Sequence, residues 1–272
     1  MSIYVPQSVT TPQNIGSVEV FGTSFSTQTQ TVLIALNELG IKYIHHHTMP
    51  NSPEISEFSP FGTIPVLVHR PNAFYSTDDK VSLFEVSAIC RYIDEVLNEH
   101  GTQAAPNVNL FPKLKGTDSR TYADSALLRA EIVQLCSVVK TYLQSVVEDR
   151  YVKQFFALRN NGATRADIDT ALSENLAVAI EALVYFERLL HKTQSRLRIS
   201  KESDFLLGRE MTWVSVLLFP ILRDFAATEP NVLHGGENER LPHLTNFLHT
   251  FAKRHSAAIT LPGSFAGSVN KQ

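Results

Sequence analysis

A hydroxyl-rich segment at positions 23–28 has the residue types most suited to chemistry. It contains Thr23, Ser24, Ser26 and Thr27, and it follows a short apolar run that stops at Gly22. A helical pattern comes next, with apolar residues spaced at i, i+3, i+4 and i+7 up to Gly40. A hydroxyl at the start of a helix accepts hydrogen bonds from unpaired backbone N–H groups, which predicts Ser26 or Thr27 as the N-cap.

Two other residue types could carry chemistry. Cys90 and Cys136 form no CxxC pair and lie in apolar helical patterns, which predicts small buried side chains rather than a disulfide or a nucleophile. The run His45-His46-His47 ends a predicted strand, where alternate side chains face opposite sides, so at most His45 and His47 share a face. No third ligand is evident nearby, so we predict no metal site.

Composition excludes several classes of function. The chain has 272 residues, a net charge of −3 and no long basic run, which argues against nucleic acid or an anionic membrane as the main partner. No apolar run reaches the ~18 residues of a membrane-spanning helix, and no secretory signal is visible at the N-terminus. We therefore expect a cytoplasmic protein.

The first part of the chain predicts the order β-α-β-(short α)-β-β-α. A strand at 18–22 and the helix after it lead to a second strand at 41–47, and the first two strands should be parallel with a right-handed crossover. A turn-rich segment with one helical turn near 53–58 precedes a bend that Gly62 and Pro65 bracket. A strand leaves this bend, and after the polar loop 70–81 a strand at 82–85 passes into a helix.

The second part has an all-helical pattern. Apolar positions repeat at spacings of three and four over 128–146 and again over 172–190, and helices are also predicted from Thr212 and from Pro242. These patterns predict a domain plan with a flexible tail at 1–17, an α/β domain at 18–100, a linker at 101–121, an all-helical domain at 122–260 and a loose tail at 261–272.

Three motifs in order resemble the cytosolic glutathione transferase family, most closely its phi class and the fungal relatives of that class. The serine-threonine start of the first helix is similar to the class opening. Residues 60–67 are similar to its "PFGxVPxL", and residues 83–93 to its "LFESxAIxRYI". The resemblance is dense over 18–95 and loose over 120–255. It implies a thioredoxin-like N-terminal domain followed by an all-α domain.

The resemblance also implies residue roles. The hydroxyl of Ser26 would donate a hydrogen bond to the glutathione sulfur and favour the thiolate, with Ser24 and Thr27 as neighbours that could substitute and a plain N-cap as the alternative. Pro65 would be cis, turning the backbone of Ile64 outward to pair with the tripeptide, where the alternative is an ordinary trans turn. Glu85 would hold the γ-glutamyl end, or else be a solvated acid at a helix start.

The sequence departs from the phi pattern at several positions. Val86 stands where serine is usual, which removes one hydrogen bond to a charged group, worth ~1.5–3 kcal/mol. Thr63 replaces a usual glutamine, and no His-Lys pair follows the second strand, which leaves His45 as a candidate for the glycine carboxylate. The predicted glutathione-binding residues are therefore Thr63, Ile64, Pro65, Glu85, Val86 and His45. In the second domain, Thr212 and Ser215 resemble the family's capping box, with serine in place of the acid.

The leading expectation is a homodimeric enzyme that uses glutathione as co-substrate, with no cofactor or metal, to attack small hydrophobic electrophiles. The alternative is a binding protein of the same fold with weak or no catalysis. A glutaredoxin-like reductase ranks last, because residues 22–31 contain no cysteine. An interaction module of a larger assembly, as in some elongation-factor subunits of this fold, stays open, although no extra domain is evident.

Overall fold

In the computed structural model, residues 2–4, 15–71, 80–98, 108–115, 118–199, 205–233 and 240–269 are described. The chain divides into two compact units. The first is Met1–Leu110 with His255–Ser264, and the second is Phe111–Arg254 with Phe265–Gln272. The sequence placed the transition in a linker over 101–121, of which 101–107 and 116–117 lie outside the described residues, as do 72–79 of the predicted polar loop.

The first unit is built on a mixed sheet. Its described elements are β1 (Ser2–Tyr4), β2 (Ser17–Phe21), α1 (Thr27–Glu38), β3 (Tyr43–His46), α2 (Pro53–Ser56), β4 (Val66–Arg70), β5 (Val81–Phe84), α3 (Val86–Tyr92) with a π-helical extension (Ile93–Leu97), and α9 (His255–Thr260). The strand order is β1-β3-β2-β4-β5, with β2 parallel to β3 and the other neighbouring pairs antiparallel. From β2 to α3 this is the predicted thioredoxin-like βαβ-ββα order, which is confirmed.

The N-terminal segment is not entirely a tail. Ser2–Tyr4 forms an edge strand that pairs antiparallel with β3, with Ser2 opposite His45 and Tyr4 opposite Tyr43. The tail prediction was therefore wrong for these three residues, while 5–14 lie outside the described residues. β3 would otherwise expose one row of backbone donors and acceptors, and a three-residue strand is too short to give a sequence pattern.

α1 is buried along most of its length. Val32, Ile34, Ala35 and Leu36 have no exposed surface. Full burial of an aliphatic side chain of the size of Val or Leu stabilises a fold by about 1.5–3 kcal/mol. The helix is therefore firmly held, and so is its N-terminus, where Ser26 lies.

The second unit is helical, as predicted. Its described elements are α4 (Ser119–Val138), a π-helical continuation (Val139–Val152), α5 (Lys153–Asn160), α6 (Arg165–Leu197), α7 (Trp213–Thr228), α8 (Pro242–Ala252) and α10 (Phe265–Val269). Its core is aromatic, with Phe219 stacked on Phe251 at 4.3 Å and Tyr151 edge-on to Phe225 at 5.8 Å between ring centroids. No helix among the described residues combines the length and the apolar character that crossing a membrane requires.

One sequence prediction for the helical part was confirmed in part, and another was wrong. Thr212 precedes α7 as its N-cap, as the capping-box resemblance implies, but its side chain makes no capping bond, and the Thr212 and Ser215 hydroxyls are buried without a partner among the described residues. The predicted loose tail at 261–272 contains α10, where the Ala266 N–H donates to buried Asp224 at 3.0 Å and Phe265 stacks on Phe156. Serine is too short for the reciprocal bond that an acid would make, and a five-residue helix gives little periodicity.

The cysteines follow the prediction in part. No disulfide joins Cys90 and Cys136. Cys90 is buried as expected, while Cys136 on α4 is only partly buried.

Candidate functional site

Strand register brings the predicted site segments to one end of the sheet. Phe21 at the end of β2 pairs with Val66 at the start of β4, which pairs with Phe84 at the end of β5. Phe21 also pairs with His46 on β3. Because neighbouring strands are ~4.8 Å apart, the loop after β2, the bend before β4 and the turn after β5 start within about 10 Å of one another.

Gly22 makes the turn that leads into the hydroxyl-rich loop. Its φ is +155°, and a Cβ at this position would lie 2.4 Å from Oγ1 of Thr29. Its N–H donates to the carbonyl of His46 at 3.0 Å. Only glycine therefore allows the loop to approach the first turn of α1 this closely.

Ser26 is the N-cap of α1, which is one of the two predicted candidates, and Thr27 is the first helical residue. Its backbone is extended (φ −80°, ψ 117°), and its Oγ accepts from the Thr29 N–H at 3.2 Å. The side chain is half-buried, and the first turn of α1 contains no acidic residue. A hydroxyl that accepts a bond from the helix still has its own O–H to donate, so the capping role and a role toward a ligand are compatible.

The neighbouring hydroxyls are placed differently. Ser24 is buried, its carbonyl accepts from Nε2 of Gln30 at 2.8 Å, and its Oγ lies 3.5 Å from Nδ1 of His47. Thr27 is buried inside α1. The Oγ1 of Thr23 accepts a long bond, 3.4 Å, from the Phe25 N–H. Ser26 is therefore better exposed than either Ser24 or Thr27, the two substitutes that the sequence left open.

The bend before β4 has the predicted form. The Ile64–Pro65 peptide bond is cis. Gly62 has φ +63°, and a Cβ there would lie 2.0 Å from Oδ1 of Asn51, whose N–H donates to the Gly62 carbonyl at 2.9 Å. Ile64 is half-buried, and within the described part of the chain its backbone N–H and C=O have no hydrogen-bond partner.

Thr63 has an internal role in this bend. Its side chain is exposed, its Oγ1 lies 3.1 Å from Oγ of Ser59, and its N–H donates to the same oxygen at 3.2 Å. The Thr63 hydroxyl is therefore hydrogen-bonded to Ser59. The threonine side chain is also shorter than the glutamine that is usual at this position in the phi class.

Glu85 joins β5 to α3 in an unusual conformation. It has φ +68° and ψ 113°, its side chain is exposed, and its carbonyl accepts from the N–H groups of Ala88 and Ile89. A non-glycine residue at positive φ costs of order 1–3 kcal/mol and is often found at binding sites. Val86, the first residue of α3, is 1% exposed, so its side chain belongs to the core while its N–H lies at the helix start.

His45 does not suit its predicted role. Its side chain is buried and its Nε2 donates to the Gly22 carbonyl at 2.9 Å. The pKa of His45 is lowered to about 4, chiefly by burial and to a smaller extent by the nearby His47 and His46, against the opposing effect of the Gly22 bond. A buried neutral ring is a weak partner for a carboxylate. His47 shares its face, at 4.2 Å between ring centroids, and is exposed.

The sequence did not predict the role of the C-terminal segment. Residues 255–264 belong to the first unit, where α9 contacts α1 and Oγ of Ser256 donates to Glu38 at 2.5 Å. Gly263 has φ +86°, and a Cβ there would lie 2.9 Å from Cβ of Ser24. The sequence Leu261-Pro262-Gly263 signals a turn, but nothing in it indicates contact with a loop some 240 residues earlier.

Two family models match this chain. The glutathione S-transferase N-terminal domain matches residues 25–96, and the glutathione S-transferase C-terminal domain matches residues 153–255. A comparison with curated protein sequences gave no match.

Solved structures of similar fold include several glutathione transferases. Glutathione transferase F7 from Populus trichocarpa is 18% identical with a TM-score of 0.62, over 90% of this chain and 98% of that one. Glutathione transferase F2 from the same poplar is 20% identical with a TM-score of 0.57, over 90% of this chain and 97% of that one. Glutathione transferase Omega 2S from Trametes versicolor is 15% identical with a TM-score of 0.60, over 94% of this chain and 95% of that one. With both domain models matched in order on a thioredoxin-like and a helical unit, the chain belongs to the glutathione S-transferase family.

Proposed function

We propose that this protein is a glutathione transferase in which Ser26 stabilises the glutathione thiolate. The observation that carries the proposal is the half-exposed Ser26 hydroxyl at the N-terminus of α1, on the same end of the sheet as the cis bend. A thiol is a weak nucleophile until it is deprotonated, and its ordinary pKa is ~8.5. An O–H donor and the positive end of a helix both favour the thiolate and so lower that pKa.

The reaction is then a nucleophilic displacement or addition. The glutathione sulfur forms a bond to an electrophilic carbon, and the thiol proton goes to solvent. In a displacement, the leaving group departs with the electron pair of the bond that breaks. In an addition, the electron pair of the broken π bond moves to the neighbouring atom, which takes a proton from solvent. The Ser26 O–H stays on the serine and only donates a hydrogen bond. An acidic residue in the first turn of α1 would oppose the thiolate, and that turn has none.

The tripeptide would bind along the same end of the sheet. The backbone of Ile64, which lacks a partner among the described residues, would pair with the ligand main chain as an added strand does. Glu85 and the N–H of Val86 would hold the charged γ-glutamyl end, while Thr63 and Pro65 shape the bend between them. We leave His45 out of the ligand contacts because it is buried and hydrogen-bonded to Gly22.

We also propose a homodimer. Phe61, beside the bend, is 74% exposed, and α4 with its continuation exposes Tyr122, Val133 and Tyr142. The family resemblance implies the dimer, and its interface would cover these exposed apolar side chains. Light scattering at micromolar concentration should give twice the chain mass of 30.4 kDa, and Phe61→Ala should shift the protein toward the monomer.

The test is glutathione conjugation to 1-chloro-2,4-dinitrobenzene by wild type, Ser26→Ala and Thr164→Ala. Thr164 caps α6 through a bond to the Asp167 N–H, so its loss removes a comparable cap far along the chain. We expect Ser26→Ala to lower kcat/KM at least tenfold and Thr164→Ala to leave it unchanged. Equal activity in all three proteins would remove Ser26 from the mechanism.

A second candidate is a binding protein of the same fold with little catalysis. Val86 offers no hydroxyl beside Glu85, and Thr63 is committed to Ser59. Calorimetric titration separates the two candidates. A glutathione Kd in the low micromolar range with turnover supports the enzyme, and saturable binding of an apolar ligand without turnover supports the binding protein.

A further inference from the structure

Two histidines of the second unit lie side by side, outside the site described above. His191 is on α6 and His243 is the second residue of α8, and their ring centroids are 6.0 Å apart. Both residues belong to the second unit, so the pair does not depend on Ser26 or on the first unit. They are far apart in the sequence and follow no ligand-spacing motif, which is why the sequence did not indicate them.

One nitrogen of the His243 ring is held by a buried carboxylate. Glu187, one turn before His191 on α6, is 6% exposed, and its Oε1 lies 2.6 Å from Nδ1 of His243. The same carboxylate accepts from the N–H groups of His243 at 2.9 Å and Leu244 at 3.1 Å, so it caps the start of α8. Because a carboxylate only accepts hydrogen bonds, Nδ1 carries the proton, and Nε2 of the neutral ring keeps its lone pair.

The Glu187–His243 pair has the arrangement that supports a metal-binding histidine. Such a histidine usually donates its other ring N–H to a carboxylate, which fixes the tautomer and the orientation of the ring and raises its basicity. The three hydrogen bonds of Glu187 place it behind the His243 ring as a support and not as a ligand.

The second ring is available to share an ion. His191 is exposed, its backbone carbonyl accepts from Oγ of Ser195, and its ring nitrogens have no hydrogen-bond partner among the described residues. Imidazole nitrogens bind zinc at about 2.0–2.1 Å, which places two rings on one ion with centroids roughly 5–6 Å apart. The observed 6.0 Å is therefore close to the separation that a shared ion requires.

The charge behind the pair favours a cation. His243 is the sole ion-pair partner of Glu187 in the part of the chain that the structure describes. When the His243 ring is neutral, the buried carboxylate has no full positive charge to compensate it, and burial of an uncompensated charge is costly. A cation at Nε2 of His243 would supply that charge through the ring.

The ligand set selects the kind of metal. Over the described ranges, no group of three or more His, Cys, Asp and Glu side chains is arranged around one ion, so water would complete the coordination of an ion on two imidazoles. Imidazole suits zinc, copper and nickel, whereas magnesium and calcium take oxygen ligands. The pair is therefore suited to a divalent transition metal.

We propose that His191 and His243 together bind one divalent transition metal ion such as zinc, with Glu187 as the positioning residue behind His243. The ion joins α6 to the start of α8, and it is independent of the proposed glutathione chemistry.

Calorimetric titration of the untagged full-length protein with zinc and with magnesium tests the class of metal. We expect zinc to bind and magnesium to bind at least a hundredfold more weakly, because two imidazoles offer magnesium no oxygen ligand. Equal binding of the two ions would point to carboxylates elsewhere on the surface and would overturn the proposal.

Two variants each remove one ligand and keep the fold. His191→Ala truncates an exposed side chain, and His243→Asn keeps an N–H donor near the position of Nδ1 for Glu187 but has no Nε2. Each should weaken zinc at least tenfold, and the double variant should bind little more weakly than either, because the two effects belong to one ion. His249→Gln changes an exposed histidine elsewhere on α8 and should bind zinc as wild type does. Unchanged zinc affinity in His191→Ala or in His243→Asn would overturn the proposal.

The melting temperature separates metal binding from a structural role. Zinc should raise the melting temperature of wild type, because the ion binds the folded chain, and should not raise that of His191→Ala. An equal rise in both proteins would assign the ion to another site and overturn the proposal.

Glu187→Gln tests the positioning role. The amide oxygen can still accept from the N–H groups at the start of α8, but the negative charge is lost, so zinc affinity should fall about tenfold. A lower melting temperature with unchanged zinc affinity would show that Glu187 only caps α8, and that result would overturn its assignment as a positioning residue.

Discussion

A Cβ atom on Gly263 would lie 2.9 Å from the Cβ of Ser24, so the C-terminal segment crosses directly over the loop that leads to Ser26. The contact stays within the first unit, to which residues 255–264 belong. The last part of this unit therefore supports the loop on which its proposed chemistry depends.

Substitution of Gly263 should alter catalysis, and Gly162 offers a matched control. Gly263 has φ +86° and Gly162 has φ +85°, but a Cβ on Gly162 would meet nothing within 4 Å. An alanine at either position is destabilised by its positive φ, by about 1–2 kcal/mol. Only in Gly263→Ala does the new Cβ also clash with Ser24.

We expect both variants to melt at lower temperature and only Gly263→Ala to lose activity, by about threefold or more in kcat/KM toward chlorodinitrobenzene. Thermal melts and steady-state kinetics on both proteins give the answer. A comparable activity loss in Gly162→Ala would show that strain alone is responsible and that the contact with Ser24 does not matter.

The pKa of bound glutathione should depend on Ser26. In wild type the hydroxyl and the helix N-terminus should hold the thiol pKa below its ordinary value of ~8.5, and Ser26→Ala should bring it back toward that value. Thiolate absorbance of the binary complex, followed from pH 5 to 10, measures it. A titration that is the same in both proteins would contradict the role, even if Ser26→Ala were less active for other reasons.

Glutathione affinity should improve when a hydroxyl is restored beside Glu85. Val86 is 1% exposed, so a serine there would leave a cavity, whereas threonine keeps nearly the same shape. One hydrogen bond to a charged group contributes ~1.5–3 kcal/mol, so Val86→Thr should tighten glutathione by roughly tenfold. The wild-type valine has nearly the same shape without the hydroxyl and is the isosteric control in calorimetric titration, while Val86→Ile, which is one methylene larger, controls for a disturbed core.

The sequence predicted the parts of this site that depend on local rules. A hydroxyl before a periodic apolar run predicts an N-cap at Ser26 or Thr27, and the structure has it at Ser26. The bend at Gly62–Pro65 follows from its turn residues and is also confirmed. The cis state of Pro65 came only from the family resemblance, since local rules favour trans.

The features that the sequence did not predict depend on contacts between distant parts of the chain. The pairing of Ser2–Tyr4 with β3 and the approach of Gly263 to Ser24 both join positions far apart in sequence, and no spacing rule connects them. His45 was placed on the correct face of its strand, with His47, but burial could not be judged from alternation alone, since either face of a sheet can be covered.

The buried ring of His45 should make stability depend on pH. Its pKa is lowered to about 4, chiefly by burial, whereas an unfolded histidine titrates near 6.5. Below pH ~6.5 the histidine binds a proton more readily in the unfolded chain than in the folded one. The stabilisation of the folded state by the neutral His45 ring is therefore complete above pH 6.5 and is lost as the pH falls toward 4. Its full size is of order 3 kcal/mol.

His45→Gln keeps a donor for the Gly22 carbonyl and cannot titrate. We expect its free energy of unfolding, from urea melts between pH 4 and 7, to fall less steeply on acidification than that of wild type. His249→Gln changes an exposed histidine and should follow the wild-type curve. Parallel curves for all three proteins would contradict the assignment.

The two threonine helix starts of the second unit should respond oppositely to loss of the hydroxyl. Thr164 accepts from the Asp167 N–H at 3.2 Å and Asp167 bonds back to the Thr164 N–H at 3.1 Å, a complete capping box. Thr212 is 3% exposed, and its Oγ1 has no partner among the described residues. Thr164→Ala should therefore cost about 1 kcal/mol of unfolding free energy. Thr212→Val, which replaces a buried unpaired hydroxyl by a methyl of the same shape, should be neutral or stabilising. Urea melts of both variants decide the matter, and a loss above ~1 kcal/mol in Thr212→Val would mean that its hydroxyl caps α7 after all.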